Sequence, residues 1–260
     1  MYDLDTRRRV LALVDQGRSL NSVSKQTGIS RFAIRSWQTR LEPLPRVSVE
    51  ADCFRCAPEP SLPPNGPAYA YLLGLYLGDG CVSSHPRRSG RYLRIACANT
   101  WPGLITECAE AITAVLPDRS ACRMQAEGCV MVTSYGHHWL CLFPQHGPGR
   151  KHERRIALAP WQRKVVGRHP WELLRGLVHS DGCRITNWTT RLVAGERKRY
   201  EYPRYFFTNT SGDIVRLYCE TLDRVGVEWK VVHRPTGAYN VSVARRASVA
   251  LMDEHIGPKH

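Results

Sequence analysis

From residue 67 onward the chain repeats itself once, and that repeat restricts its fold more than any single motif does. The first copy opens with YAYLLGLYLGDGCV (69–82) and the second with WELLRGLVHSDGCR (171–184). Each is an apolar helical run ending in Asp-Gly-Cys, with Asp79 and Asp181 standing 102 positions apart. Strand-like segments follow, RYLRIACA (91–98) or RYFFTNT (204–210), then a helix, PGLITECAEAITAVL (102–116) or SGDIVRLYCETLDRVG (211–226). A last strand, CVMVTSY (129–135) or YNVSVAR (239–245), leads to a short helix and a Gly-Pro tail, HGPGRKH (146–152) or IGPKH (256–260). The unit reads αββαββα. Two in tandem predict an α+β domain with a pseudo-two-fold axis, its copies spanning 67–166 and 167–260.

The opening helices hold the chemistry. Gly74 and Gly78 lie four apart on one helix face, and Gly176 and Ser180 repeat that spacing in the second copy. Small residues at i and i+4 let two helices approach until their backbones nearly touch. If the helices pair symmetrically, Asp79 and Asp181 meet at their C-terminal ends. Two crowded carboxylates repel unless a cation lies between them, which makes a divalent-metal site from few residues. Hydrolysis of a phosphodiester needs such metals to activate water and steady the leaving oxygen. Gly80 and Gly182 then let the chain turn sharply into the next strand. A pair of helix-terminal carboxylates in a domain that binds DNA without cutting is the other reading of the same residues.

Both segments, LLGLYLGDG (72–80) and LRGLVHSDG (174–182), resemble the LAGLIDADG motif. The resemblance covers roughly residues 67–260 and is to the single-chain, two-motif LAGLIDADG homing endonucleases. It implies a saddle of two antiparallel sheets along the DNA major groove. Asp79 and Asp181 would be the metal-binding acids, with Gly78 and Ser180 beside them in the metal site. Magnesium held there would support cutting of both strands across the minor groove, leaving short 3′ overhangs. The sixth motif position, usually acidic, is Leu77 in one copy and His179 in the other; it packs in the helix pair and is not a metal ligand. The family places a basic group near each metal, for which His137 or His138, Arg245 or Arg246, and Lys151 are the candidates. Some bacterial regulators combine a degenerate LAGLIDADG domain with a helix-turn-helix, so a non-cleaving regulator is the alternative.

Residues 1–41 predict three short helices and a separate module. Gly28 serves as the turn between the second and third, Ser30 as an N-cap, and Val23, Ile29, Ile34 and Trp37 as the core. The module resembles homeodomain-like helix-turn-helix units of resolvases and transposases, which also leaves room for a helper of a mobile element. Its third helix would present Arg31, Phe32, Arg35 and Ser36 to the major groove, with Arg31 suited to a base edge and Arg35 to a phosphate. Residues 42–66 hold Pro43, Pro45, Pro58, Pro60, Pro63 and Pro64, a density that neither helix nor central strand accepts, and read as a linker.

A net charge of +14 across 260 residues is that of a polyanion binder. Counting the cations gives 31 Arg against 6 Lys, which suits forked contacts to phosphate or guanine, although a GC-rich genome produces the same bias. Charge alone does not separate DNA from RNA or an acidic membrane; double-stranded DNA is the partner that the resemblance implies. The base-reading strands would be RYLRI, with Arg91 and Leu93 on one face and Tyr92 and Arg94 on the other, and a long hairpin over 183–206. That hairpin carries Arg184, Asn187, Thr190, Arg191, Arg197, Lys198, Arg199 and Arg204. No run of about 18 apolar residues exists to span a bilayer, and MYDLDTRRRV lacks a signal peptide's apolar core. The expectation is a monomer at work on the nucleoid in a bacterial cytoplasm, its ten cysteines reduced. Cys53 and Cys56 form a lone CxxC; a closed zinc site needs four ligands and no second CxxC exists, so His85 and His146 are the conceivable partners for zinc there. Cys81 and Cys183 are expected to be small buried packing residues.

Overall fold

The computed structural model describes residues 2–39, 41, 53, 56, 61–84 and 91–260. The chain divides into two compact units, Met1–Asp52 and Cys53–His260. Most of the proline-rich stretch, and His85, lie outside the described residues.

The first unit contains helices α1 (Leu4–Asp15), α2 (Leu20–Thr27) and α3 (Arg31–Thr39). Asp3 and Ser19 cap the first two by accepting from Thr6 N and Ser22 N, and Ser30 caps the third by accepting from Ala33 N. Gly28 closes α2 at φ 69°, the left-handed region that glycine enters without a Cβ clash. The core is Val10, Val23, Ile29, Ile34 and Trp37, with Leu11, Leu13 and Val14 at its edge. Arg7 is also buried, which the sequence pattern did not reveal. Its guanidinium lies 5.2 Å from the Trp37 ring and donates to the carbonyls of Tyr2 and Leu41.

In the second unit the repeat is realised twice. The first copy runs α4 (Gly66–Asp79), β1 (Gly80–Ser84), β2 (Arg91–Ala98), α5 (Pro102–Val115), β3 (Cys122–Ala126), β4 (Cys129–Tyr135) and α6 (Trp139–Leu142). The helix α7 (Pro160–Arg168) then joins the copies; the sequence pattern had not predicted it, and its buried Gln162 donates to the Tyr69 hydroxyl at 2.7 Å. The second copy runs α8 (Pro170–Asp181), β5 (Gly182–Val193), β6 (Glu196–Asn209), α9 (Gly212–Arg224), β7 (Lys230–His233), β8 (Tyr239–Val243) and α10 (Arg246–His255). Each copy builds one antiparallel sheet, β1-β2-β4-β3 and β5-β6-β8-β7, so the strand order is the same in both. The register matches too: Gly80 pairs with Ile95, and Gly182 with Phe207.

One core serves both copies. It gathers the helix-facing side chains of each sheet, such as Leu93, Ile95, Val132, Tyr205, Phe207 and Val241, under the paired helices α4 and α8. The close approach of α4 and α8 depends on their small residues. A Cβ built on Gly74 would lie 2.6 Å from the Leu173 carbonyl oxygen and 2.7 Å from the Leu177 nitrogen. One built on Gly176 would run into the Tyr71 carbonyl. Gly80 and Gly182 prove necessary for a different reason than a sharp turn. Their φ values, −98° and −107°, suit any residue, but a Cβ would lie 2.5 Å from Tyr76 Cα in the first case and 2.7 Å from Val178 Cα in the second.

Strands β5 and β6 outrun the rest of their sheet. β6 pairs with β8 only over Tyr205–Asn209, whereas β5 and β6 stay paired out to Val193 and Glu196. At about 3.3 Å per residue the free two-stranded ribbon reaches some 30 Å. Its turn is Ala194-Gly195, both at positive φ (51° and 81°), the mirror-image turn that matches strand twist.

Candidate functional site

The C-terminal ends of α4 and α8 bring Asp79 and Asp181 together. An α-helix leaves its last carbonyls without partners, and here two lysines supply them. Lys151 Nζ donates to the carbonyls of Tyr76, Leu77 (3.0 Å) and Gly78 (2.8 Å), and Lys259 Nζ donates to that of Ser180 at 2.9 Å. Beside them opens a cavity of about 600 Å³ lined by Gly78, Cys81, His146, Lys151, Asp181 and Asn209 among others. Asn209 donates to Asp181 Oδ2 at 2.7 Å and is itself held by the backbone N–H of Ser211. The equivalent register position in the first copy is Cys97, so the pseudo-symmetry is broken beside the acids.

Electrostatics mark this place as costly. The Asp181 carboxyl is pushed up to about 6, first by burial and then by the Asp79 charge, against the opposing pull of Asn209, Lys151 and Lys259. The Asp79 side chain reaches solvent, yet the protein crowded around its carboxyl still raises it above the usual range, outweighing Lys259 and Lys151. Burial also lowers the Lys151 ammonium to about 8, and Lys259 shifts the same way for the same reason. Among the described residues no group donates a hydrogen bond to Asp79.

Of the residues expected here, Asp79, Asp181, Gly78, Ser180 and Lys151 do come together, while Arg245 does not. Arg245 precedes α10 on the exposed surface and pairs with Glu228. The tail beyond α10 returns to the helix ends instead and delivers Lys259. The signal was present in the sequence, because Lys-His follows Gly-Pro in both closing tails (Lys151-His152 and Lys259-His260). His138 is likewise diverted. It faces Cys53 and Cys56 at 3.3 and 3.5 Å, together with Cys141, whereas His146 lines the acid-bearing cavity. Cys81 and Cys183 are exposed and not buried, since strand alternation after the buried Gly80 and Gly182 turns them to the open face. All ten cysteines are free thiols.

The same alternation sorts the basic residues. On the open faces stand Arg94 from β2 and, from the ribbon and its base, Asn187, Arg191, Lys198 and Arg204, with Arg204 stacked between Tyr202 (5.5 Å) and Phe206 (5.7 Å). Arg91, Arg184, Arg197 and Arg199 share the opposite parity. Arg91 donates to Ser84 at 2.6 Å, Arg184 forks onto Asp253, and Arg199 pairs with Glu201 over Trp188. In the three-helix unit Arg31, Phe32, Arg35 and Ser36 are all exposed on α3.

Leu77 and His179 are both buried in the helix pair. The Tyr71 hydroxyl donates to Glu107 (3.1 Å) and lies 3.0 Å from His179 Nδ1. With the phenol proton committed to the carboxylate, Nδ1–H must donate to the phenol oxygen, leaving Nε2 buried without a partner among the described residues. A second proton there would be unsatisfied, and burial lowers the imidazole from 6.5 to about 3. Stability from this neutral histidine is therefore full above pH 6.5 and lost as pH falls from 6.5 toward 3, where the unfolded chain takes up the proton first. His179→Gln should flatten that part of the curve, measured as melting temperature between pH 7 and 4; an unchanged slope would count against the assignment.

No helix among the described residues is long and apolar enough to cross a membrane. No protein-family model matches the chain, and no curated protein matches it in sequence. Solved structures do match its fold. I-DmoI in complex with DNA and manganese aligns with a TM-score of 0.51 at 14% identity, over 75% of this chain and 98% of that one. Mesophilic variants of the homing endonuclease I-DmoI give 0.51 and 14% over 75% and 97%. The N-terminal LAGLIDADG domain of DUF199/WhiA gives 0.44 and 9% over 75% and 83%. The two-sheet, two-repeat architecture of this protein is the LAGLIDADG fold.

Proposed function

We propose that the protein is a divalent-metal-dependent, site-specific double-stranded-DNA endonuclease that works as a monomer on genomic DNA. The observation that carries this reading is the meeting of Asp79 and Asp181 at the ends of two close-packed helices, each end capped by its own lysine. The donor set fits magnesium: hard carboxylate oxygens, one of them short of hydrogen-bond donors, and two carboxyls held above their ordinary range that a cation would relieve. The metal would supply an activated water and steady the leaving oxygen. Asn209 fixes the Asp181 carboxylate, and Lys151 and Lys259 offer positive charge to the phosphate as its charge builds in the transition state. The open sheet faces, with Arg94, Asn187, Arg191, Lys198 and Arg204, would lie along the major groove. The I-DmoI complex with DNA and manganese supports both partner and metal.

Incubating the protein with a randomised DNA library in magnesium, and sequencing the broken ends, tests the proposal. Discrete ends with 3′ overhangs are expected in magnesium or manganese, and none in calcium. A non-cleaving regulator is the second reading. It is favoured by charge balance, since two acids facing two lysines are already neutral without a metal. A bound, enriched sequence left intact in both magnesium and manganese would establish that reading instead.

The three-helix unit is proposed as a second DNA grip through α3. Binding should weaken steeply with salt as counterions return to the phosphates. Arg35→Ala should lower the slope of log affinity against log salt by about one, and Arg31→Ala should relax specificity by roughly 1–3 kcal/mol. Unchanged slopes and specificity in both variants would remove α3 from the interface.

A further inference from the structure

We propose that Cys53, Cys56, His138 and Cys141 form a closed, tetrahedral zinc centre that fastens the chain at residues 53–56 to the end of the first repeat. Their ligand atoms all lie within 4.8 Å of one another. Cys53 Sγ and Cys56 Sγ are 3.3 and 3.5 Å from His138 Nδ1. A tetrahedron with Zn–S of about 2.3 Å and Zn–N of about 2.0–2.1 Å has edges of roughly 3.5–3.8 Å, so small adjustments bring the four onto one ion.

Two tight turns deliver the four ligands. Cys53 and Cys56 close one, with Cys56 N donating to Cys53 O at 2.7 Å, and His138 and Cys141 close the other, with Cys141 N donating to His138 O at 3.0 Å. Each turn thus offers a pair of ligands three residues apart, CxxC and HxxC, far separated in the sequence. The other ring nitrogen, His138 Nε2, lies 3.1 Å from the Ser61 carbonyl, the contact that fixes a ligating imidazole's tautomer and leaves Nδ1 free to bind. Three sulfurs and one imidazole select zinc over the hard cation proposed for the aspartates. Binding would release the three thiol protons and fill all four positions, so this centre is structural and has no place for a water or substrate. Such a metal would couple binding to folding, tying two stretches of chain some eighty residues apart.

Metal analysis of the full chain, purified without chelator, tests the proposal. A single zinc per chain is expected, released stoichiometrically when a mercurial titrates the thiols. Loading with cobalt should give the intense visible bands of tetrahedral thiolate coordination. Cys53→Ser and Cys141→Ser should each drop zinc content to background. His138→Cys should keep both the zinc and the tetrahedral cobalt spectrum, which shows that loss in the serine variants is not misfolding. Asp79→Asn should leave zinc content unchanged, separating this centre from the carboxylate site. Wild-type protein that purifies without zinc and gives only a weak octahedral cobalt spectrum, or zinc content indifferent to the cysteine variants, would overturn the proposal.

Discussion

Asp79→Asn is expected to abolish DNA cleavage while leaving DNA affinity equal to or above that of the parent. The two acids share one charge-dense site at the ends of α4 and α8, and removing either charge takes away half of what holds a divalent cation. A loss of about 4 kcal/mol of transition-state stabilisation is roughly a thousandfold in rate. Affinity moves the other way because a negative group facing the phosphates has gone. Asp181→Asn should behave alike in cleavage and carries an internal control for folding. Its carboxyl is held at about 6 by burial and by Asp79, so the amide relieves an unfavourable charge and should keep or raise the melting temperature in the absence of metal. Single-turnover cleavage, gel-shift affinity in calcium and thermal melting in chelator are the three measurements. Cleavage that survives either substitution would remove the carboxylate pair from the chemistry.

Gly176→Leu should destabilise the second unit at its centre. The glycine faces the Tyr71 carbonyl across the helix pair, with Gly74 Cα 3.0 Å from where its Cβ would stand. The obstruction is backbone, which cannot swing aside as a side chain does. Overpacking costs typically 1–3 kcal/mol, and a backbone clash lies at or above the top of that range. For a domain of this size that is a fall of roughly 5–10 °C in melting temperature. Gly74→Leu meets the Leu173 carbonyl and the Leu177 nitrogen and should do the same. The damage should extend to function, because the helices that spread are those whose ends hold Asp79 and Asp181. If either variant melts with the parent and binds DNA as well, α4 and α8 do not owe their approach to these glycines.

Pattern in the chain was enough for the repeat, the two αββαββα copies, the helix pairing through Gly74, Gly78, Gly176 and Ser180, and the long hairpin. Each of these rests on local periodicity or on small residues at fixed spacing, and such signals survive in a linear string. Tertiary structure decided which distant groups share a site. Lys259 reaches the α8 end and Arg245 does not, because the tail beyond α10 folds back over the helix pair. His138 and Cys141 meet the CxxC across some eighty residues of chain, where no spacing rule reaches. Alternation in the sequence already put Arg91 and Arg94 on opposite faces, but that Arg184 turns away from the open face on which Arg204 stands follows only once the register is known. Composition makes the chain basic, but it is the pleat of the two sheets that chooses which of its arginines face outward, and the close contact of two helices that sets the two aspartates side by side.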